Sequence, residues 1–273
     1  MVPRDHQNGA MRSIAKAPAI VGVLVVLVLA TLLVLRARYD VDVPLVDQVV
    51  EDQVPVLLIH GYGGGPASMA ALERVLESRD RRVISVALPN GGRGDIAVSA
   101  GVVEEIVEEE GTTEVDIVGF SAGGLVARTF LEQGYGEIRS LVFLGTPHHG
   151  TRLAGLATSL DPSLCARACR EMVPGSRFLR NLNEGRNLPS DTSSVNIYSA
   201  DDGVVTPPRS ARLEGARNVL IQDVCSGVRV AHTRLVSDPI ALGLVVDALE
   251  AGSGAFDPRS CEDVRRLGLG IED

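Results

Sequence analysis

Gly119-Phe120-Ser121-Ala122-Gly123 separates a strand-like stretch, Val115-Asp116-Ile117-Val118, from a segment with helical spacing that begins at Leu125. A chain that passes from strand to helix within five residues must turn sharply, and the turn crowds its own backbone. Glycines on both flanks relieve that crowding and leave the serine side chain exposed at the apex. The helix that follows points its N-terminus and free N–H groups at the same spot. The pattern G-x-S-x-G is weak on its own and informative only in this strand–turn–helix setting. It makes Ser121 the candidate nucleophile and requires a parallel sheet to carry the turn.

The rest of the chain supplies such a sheet. The apolar run Val54–Ile59 and the strand-like stretches Val83–Leu88, Ile138–Leu144, Val195–Tyr198 and Asn218–Val224 join Val115–Phe120 as six predicted strands. Between and after them, Ser68–Arg79, Ile96–Glu110, Gly124–Glu132 and Pro239–Leu249 have helical spacing. Continuous apolar strands alternating with amphipathic helices indicate an α/β fold, a mainly parallel sheet with helices on both faces. The catalytic domain is read as 54–250. Residues 151–192 break the rhythm with Pro162, Pro174, Gly175 and Pro189, and read as an insertion able to lie over an active site as a lid. Residues 251–273 read as a polar tail.

The N-terminal part is of another kind. After a basic segment, 1–16, residues 17–35 (APAIVGVLVVLVLATLLVL) carry no charge. As a helix this run spans about 28 Å, close to a bilayer core. It is longer than the apolar region of a cleaved signal peptide and ends in Arg36-Ala37-Arg38, a poor cleavage context. The expectation is one transmembrane anchor preceding the catalytic domain, with 36–53 as linker. Three basic residues precede the run and two follow it, a weak bias that puts the remainder outside the cytoplasm of a single-pass cell-membrane protein; cleavage would instead give a secreted one. Cys165, Cys169, Cys225 and Cys261 all follow the anchor, and an even number in an exported domain fits disulfides. Of the three pairings, Cys165–Cys169 with Cys225–Cys261 is favoured. A zinc site from Cys165, Cys169, His148 and His149 matches no standard spacing.

The formal net charge is -9, the chain has no Trp, and Phe and Tyr are few. Beyond residue 38 basic groups are heavily outnumbered by acids. Such a body repels phosphate backbones and offers no stacking platform, which excludes nucleic acid as a partner. Oligomeric state is not readable.

A serine needs a base near neutral pH, and the base needs an orienting acid. Of five histidines, His6 precedes the apolar run and His60 ends the first strand, where its job is to shape a Gly-rich loop. His148 and His149 follow the Ile138–Leu144 strand. His232 follows the last strand, and only it leaves room for an acid in the order nucleophile–acid–histidine. Asp201 and Asp202 end the Val195 strand, and Asp223 ends the next; the residues alone do not choose among them. The oxyanion donors should be the N–H of Ala122 and one from Gly61–Gly65, with Tyr62 as the best candidate. No Gly-Lys-Ser/Thr follows the glycines, so a P-loop is rejected.

The stretches VLLIHGYGG (56–64), VDIVGFSAGGLVAR (115–128), VFLGTPHHGT (142–151) and IYSADDGVVTP (197–207) resemble the α/β-hydrolase superfamily, and more narrowly its bacterial class 2 lipases and esterases. The resemblance covers about residues 54–250. It implies an α/β-hydrolase fold, Ser121, Asp202 and His232 as catalytic triad, Tyr62 and Ala122 as oxyanion donors, and an acyl-ester or lipid substrate; the mechanism requires no cofactor and no catalytic metal, while a structural calcium or zinc ion at Asp201, Asp202 or the His148-His149 pair stays open. It selects Asp202 over Asp201 through the Val-Val segment that follows, and makes His148 and His149 structural. It departs from the family at Phe120, where many relatives carry histidine, and in the length of 151–192. An acyltransferase, phospholipase or thioesterase would share these residues, and a non-catalytic binding protein would typically lack one of them.

Overall fold

The computed structural model describes residues 54–271 apart from 113, 162, 164, 186–187, 189–191 and 253–255. The apolar run 17–35 and the linker lie outside the described residues. Among the described residues no helix is long and apolar enough to cross a membrane.

The elements follow in order: β1 Val56–Ile59, α1 Ala70–Glu77, β2 Val83–Val86, α2 Ile96–Glu109, β3 Glu114–Phe120, α3 Ala122–Gln133, β4 Glu137–Leu144, α4 Arg152–Leu160, α5 Arg167–Glu171, α6 Arg177–Glu184, β5 Ser193–Tyr198, β6 Arg217–Leu220, α7 Ile221–Val224, α8 Pro239–Ala251 and α9 Cys261–Gly268. The six strands form one parallel sheet in the order β2-β1-β3-β4-β5-β6. Period-two alternation sends Leu58, Val118, Val142 and Ile197 to one face, against α1, α8 and α9. Leu57, Ile59, Ile117, Leu141 and Phe143 go to the other, against α2, α3 and helices of the 151–192 stretch. Both faces are therefore covered, which is why apolar residues stand at successive positions in Val56–Ile59 of β1 and Leu141–Leu144 of β4.

The carboxyl ends of all six strands share one edge. Strand order reverses between β1 and β3, and the loops leaving these two strands diverge there. In open parallel sheets a crevice forms at that point.

Two expectations need correction. The strand expected over Asn218–Val224 stops at Leu220, which pairs with Tyr198 at the end of β5. Beyond it no neighbouring strand offers acceptors, and Ile221–Val224 closes a helical turn with Cys225 N–H donating to the Ile221 carbonyl. The polar tail contains α9. Ser260 caps it, accepting from the Asp263 N–H at 3.3 Å, and only Val264 and Leu267 give it an apolar stripe. A Cβ on Gly243 would run into the Val264 carbonyl and one on Gly268 into that of Pro239, so α8 and α9 cross at backbone contact.

The cysteines pair as Cys165–Cys169 and Cys225–Cys261. The second bridge ties α9 to the end of α7 and closes a loop that contains His232 and α8. A loop of that length removes about 4 kcal/mol of chain entropy from the unfolded state. Cys225→Ser/Cys261→Ser should lower unfolding free energy by about 2–4 kcal/mol in urea titrations. An unchanged midpoint would mean that packing of α9 on α8 alone fixes the loop.

Candidate active site

Ser121 sits at the β3–α3 junction with φ 53° and ψ -123°, a left-handed conformation that costs a non-glycine residue about 1–3 kcal/mol. Neighbouring groups enforce it. The Ser121 N–H donates to the Leu144 carbonyl at 2.9 Å, and the Ser121 carbonyl accepts from the Gly124 N–H at 3.1 Å. A Cβ on Gly123 would run into the Ile59 carbonyl, so α3 starts directly against the end of β1. The side chain of Ser121 is thereby held out at the crevice.

His232 opens a 3-10 turn, His232–Arg234, and its ring is tilted against Phe120, with centroids 5.0 Å apart. Its Nε2 lies 3.0 Å from Ser121 Oγ, and its Nδ1 lies 2.7 Å from Asp202 Oδ2. The other oxygen of Asp202 accepts from the N–H groups of Val204 and Val205, both at 2.8 Å. All three side chains are buried. Asp201, one residue earlier, turns away: Gln222 Nε2 donates to it at 3.2 Å and Arg229 lies 3.6 Å off. Asp223 is exposed on α7. Of the three acids, Asp202 is the one within hydrogen-bonding distance of His232.

Sequence reasoning overlooked Gly145, directly after β4. Its φ is +59°, and a Cβ there would stand 2.5 Å from Leu235 Cδ1, 3.4 Å from His232 Nδ1 and 3.5 Å from Asp202 Oδ2. Glycine at this position leaves room for the His–Asp pair. A glycine immediately after a strand that ends at the crevice was the available signal.

The loop after β1 faces the serine. His60 braces it: Nδ1 is 2.9 Å from the Gly61 carbonyl, and Nε2 accepts from the Leu88 N–H at 3.2 Å. Gly63 N–H donates to the Gly91 carbonyl, whereas the Tyr62 N–H has no backbone acceptor among the described residues. Nor does the N–H of Ala122, the first residue of α3. The Tyr62 ring stacks under Arg93, whose guanidinium carbon is 5.5 Å from the ring centre, and its hydroxyl accepts from the Ala166 N–H at 3.4 Å.

A cavity of about 440 Å³ opens beside Ser121 and His232. Its walls are largely apolar, among them Phe120, Leu153, Ala154, Met172, Val204 and Val205, and His232 is the only ionisable side chain other than Tyr62 in the lining. Several of these come from the 151–192 stretch. Thr151 fixes that stretch to the acid loop, donating to the Val204 carbonyl at 2.5 Å and accepting from the Thr206 N–H at 3.2 Å. Such a site can accept a proton from the serine, hold the resulting imidazolium, present two N–H groups to developing negative charge and enclose an apolar chain. Among the described residues no group of three His, Cys, Asp or Glu side chains is arranged to hold a metal ion.

His148 and His149 stand apart from this line. His149 is exposed, with Asn183 3.3 Å from its Nδ1. His148 is fully buried, edge-on to Phe143 at 4.7 Å, and neither ring nitrogen reaches a hydrogen-bond partner. Burial, and then the nearby Arg128 cation, hold its pKa well below the usual histidine range; the Asn196 amide pulls the other way but stands outside hydrogen-bond geometry. His148 is therefore neutral when folded and takes a proton when unfolded below about pH 6.5. Stability present above that pH should fall by about 1.4 kcal/mol per unit as the pH drops below it. Burial raises the pKa of Glu171 and of Asp247, which stabilises in the opposite sense on acidification. Comparing the pH slope of unfolding with that of His148→Gln isolates the histidine: the variant should lack this component, and equal slopes would contradict a neutral His148.

A family model described as the alpha/beta hydrolase fold matches residues 54–167. A triacylglycerol lipase of Burkholderia plantarii is 28% identical over 159 residues, 53% of this chain and 44% of that protein. Aspergillus fumigatus lipase B has a similar fold, with a TM-score of 0.66 at 21% identity, over 80% of this chain and 60% of its own. A Bacillus licheniformis lipase in propeptide form superposes with a TM-score of 0.59 at 20% identity, over 76% of this chain and 52% of its own. The chain thus spans less than two thirds of the length of each. With its parallel sheet and its serine turn after β3, the chain has an α/β-hydrolase fold, and lipases are among the proteins it is similar to.

Proposed function

We propose that the protein is a serine hydrolase of carboxylic esters with an apolar acyl part, as a class 2 bacterial lipase or esterase would be. The observation that carries this reading is the hydrogen-bonded line Ser121–His232–Asp202 at the mouth of an uncharged, apolar cavity. Ser121 Oγ attacks the ester carbonyl carbon as His232 Nε2 takes its proton. Asp202 holds Nδ1–H and stabilises the imidazolium. The N–H groups of Tyr62 and Ala122 donate to the tetrahedral oxyanion. Collapse expels the alcohol, which receives the proton from His232, and leaves an acyl-enzyme. Water, deprotonated by the same histidine, then releases the acid. No cofactor enters this scheme. The 151–192 stretch serves as the acyl-chain wall.

The uncharged run 17–35 is proposed as a membrane anchor that holds the hydrolase outside the cytoplasm. The two disulfides favour that compartment. Carbonate extraction of membranes tests it: the full chain should stay with the membrane, and release into the soluble fraction would contradict an uncleaved anchor.

Hydrolysis of p-nitrophenyl esters from C2 to C16 tests the activity. A cavity of this size and polarity predicts a medium-chain optimum, with charged acyl groups rejected. No turnover of any ester by folded protein would overturn the reading. Product that requires an added alcohol or thiol acceptor would turn it into an acyltransferase.

A further inference from the structure

Thr151 is buried where the cavity wall meets the loop that follows β5. A hydroxyl carries one donor proton and two acceptor lone pairs. At Thr151 all three are used. Oγ1 donates to the Val204 carbonyl at 2.5 Å and accepts from the Leu153 and Thr206 N–H groups, both at 3.2 Å. The bond from Leu153 caps α4. The other two grip residues 204–206 from both ends.

The gripped residues hold the catalytic acid. Val204 and Val205 N–H groups donate to Asp202 Oδ1, both at 2.8 Å, while Asp202 Oδ2 lies 2.7 Å from His232 Nδ1. A carboxylate is planar, so holding one oxygen sets the direction of the other. A tilt of residues 204–206 would turn Oδ2 off the imidazole. Among the described residues one main-chain hydrogen bond reaches 204–206, from the Arg152 N–H to the Thr206 carbonyl at 3.0 Å. It acts at the far end of the span, two residues from the Val204 carbonyl that Thr151 holds. The wall depends on the hydroxyl less. Thr151 N–H donates to the Met172 carbonyl at 3.0 Å, and that bond, like the one from Arg152, survives without a hydroxyl.

We infer that Thr151 is a positioning residue of the catalytic acid. Its hydroxyl fixes residues 204–206 and, through their N–H groups, the aim of Asp202 at His232. Thr151 lines the cavity but lends no atom to the reaction, so its hydroxyl acts on turnover and not on binding. The inference rests on the reading of Ser121, His232 and Asp202 as the triad.

The test compares the full wild-type chain with Thr151→Val, which keeps the shape, and Thr151→Ser, which keeps the hydroxyl. On p-nitrophenyl octanoate, Thr151→Val should lower kcat by about 10- to 100-fold, the scale of a small misplacement of a catalytic group. KM should stay within about 3-fold, as when the interaction lost is one made in the transition state alone. Thr151→Ser keeps all three hydrogen bonds and should turn over within about 3-fold of wild type. A role confined to the wall predicts the reverse for Thr151→Val, a raised KM at near wild-type kcat, and that result overturns the inference. So does an equal loss of kcat in the valine and serine variants.

A second readout does not use turnover. The proton held between His232 Nδ1 and Asp202 Oδ2 gives a far-downfield proton NMR signal when the imidazole is protonated. Thr151→Ser should keep that signal at the wild-type shift, and Thr151→Val should broaden it or move it upfield. An unchanged signal in Thr151→Val overturns the inference. If Thr151→Val does not fold, Thr151→Ala, which removes the same hydroxyl without added bulk, is read against the same expectations. If folded wild type turns over no ester, the ester-hydrolase reading fails, and the NMR comparison still decides whether Thr151 aims the acid.

Discussion

Ser121→Ala will lower kcat for a p-nitrophenyl ester by about 10⁵- to 10⁶-fold while leaving the fold intact. The size follows from the role. Without Oγ there is no acyl-enzyme, and what survives is water attack helped by the oxyanion donors and the cavity. Fold retention follows from the backbone. Alanine tolerates the left-handed conformation no worse than serine, and the two hydrogen bonds that enforce it, from the Ser121 N–H to Leu144 and from the Gly124 N–H to the Ser121 carbonyl, are main-chain. Residues that act as one unit are not additive, so adding His232→Ala to Ser121→Ala should cost little more. Steady-state kinetics of the two single variants and the double variant check this. A Ser121→Ala enzyme with a tenth of wild-type kcat would place the nucleophile elsewhere.

The second large effect separates two adjacent carboxylates. Asp202→Asn should reduce kcat by about 10⁴-fold, because an amide that keeps the shape no longer holds the imidazole in the tautomer that accepts the serine proton. The packing argues for a clean experiment. Val204 and Val205 N–H groups can still donate to the Asn oxygen in place of Asp202 Oδ1. Asp201→Asn should change kcat by less than about 3-fold, in line with surface substitutions. Its carboxylate meets Gln222 and, more loosely, the exposed Arg229. Parallel kcat measurements on both variants decide the matter. The reverse ranking would make Asp201 the orienting acid and the arrangement around His232 irrelevant to turnover.

Most of the sheet was legible because its central strands are covered on both faces, so burial wrote itself into the sequence as apolar runs such as Val56–Ile59. The serine turn was legible for a related reason: a Cβ on Gly119 would run into the backbone of Gly123 and Gly124, and that constraint is local in sequence. His232 could be reached by elimination and order. The choice between Asp201 and Asp202 could not be made from composition, since both end the same strand. It depends on which carboxylate faces a loop 30 residues later. Gly145 escaped for the same reason, its neighbours His232, Asp202 and Leu235 being distant in sequence. Helix α9 was missed because two apolar residues in eight give almost no periodic signal; its place is fixed by glycine contacts with α8 and by the Cys225–Cys261 bridge. The strand expected to reach Val224 was overextended because β-branched residues continue past the point where the neighbouring strand ends.

The central claim is that Ser121 is activated by His232. It is tested most directly by treating folded wild type and His232→Ala with a fluorophosphonate and locating the adduct by peptide mass spectrometry. The account predicts a single phosphonylated residue in wild type, Ser121, with labelling slowed by about 10³-fold or more in His232→Ala. Label on another residue, or equal labelling of the two proteins, would contradict it.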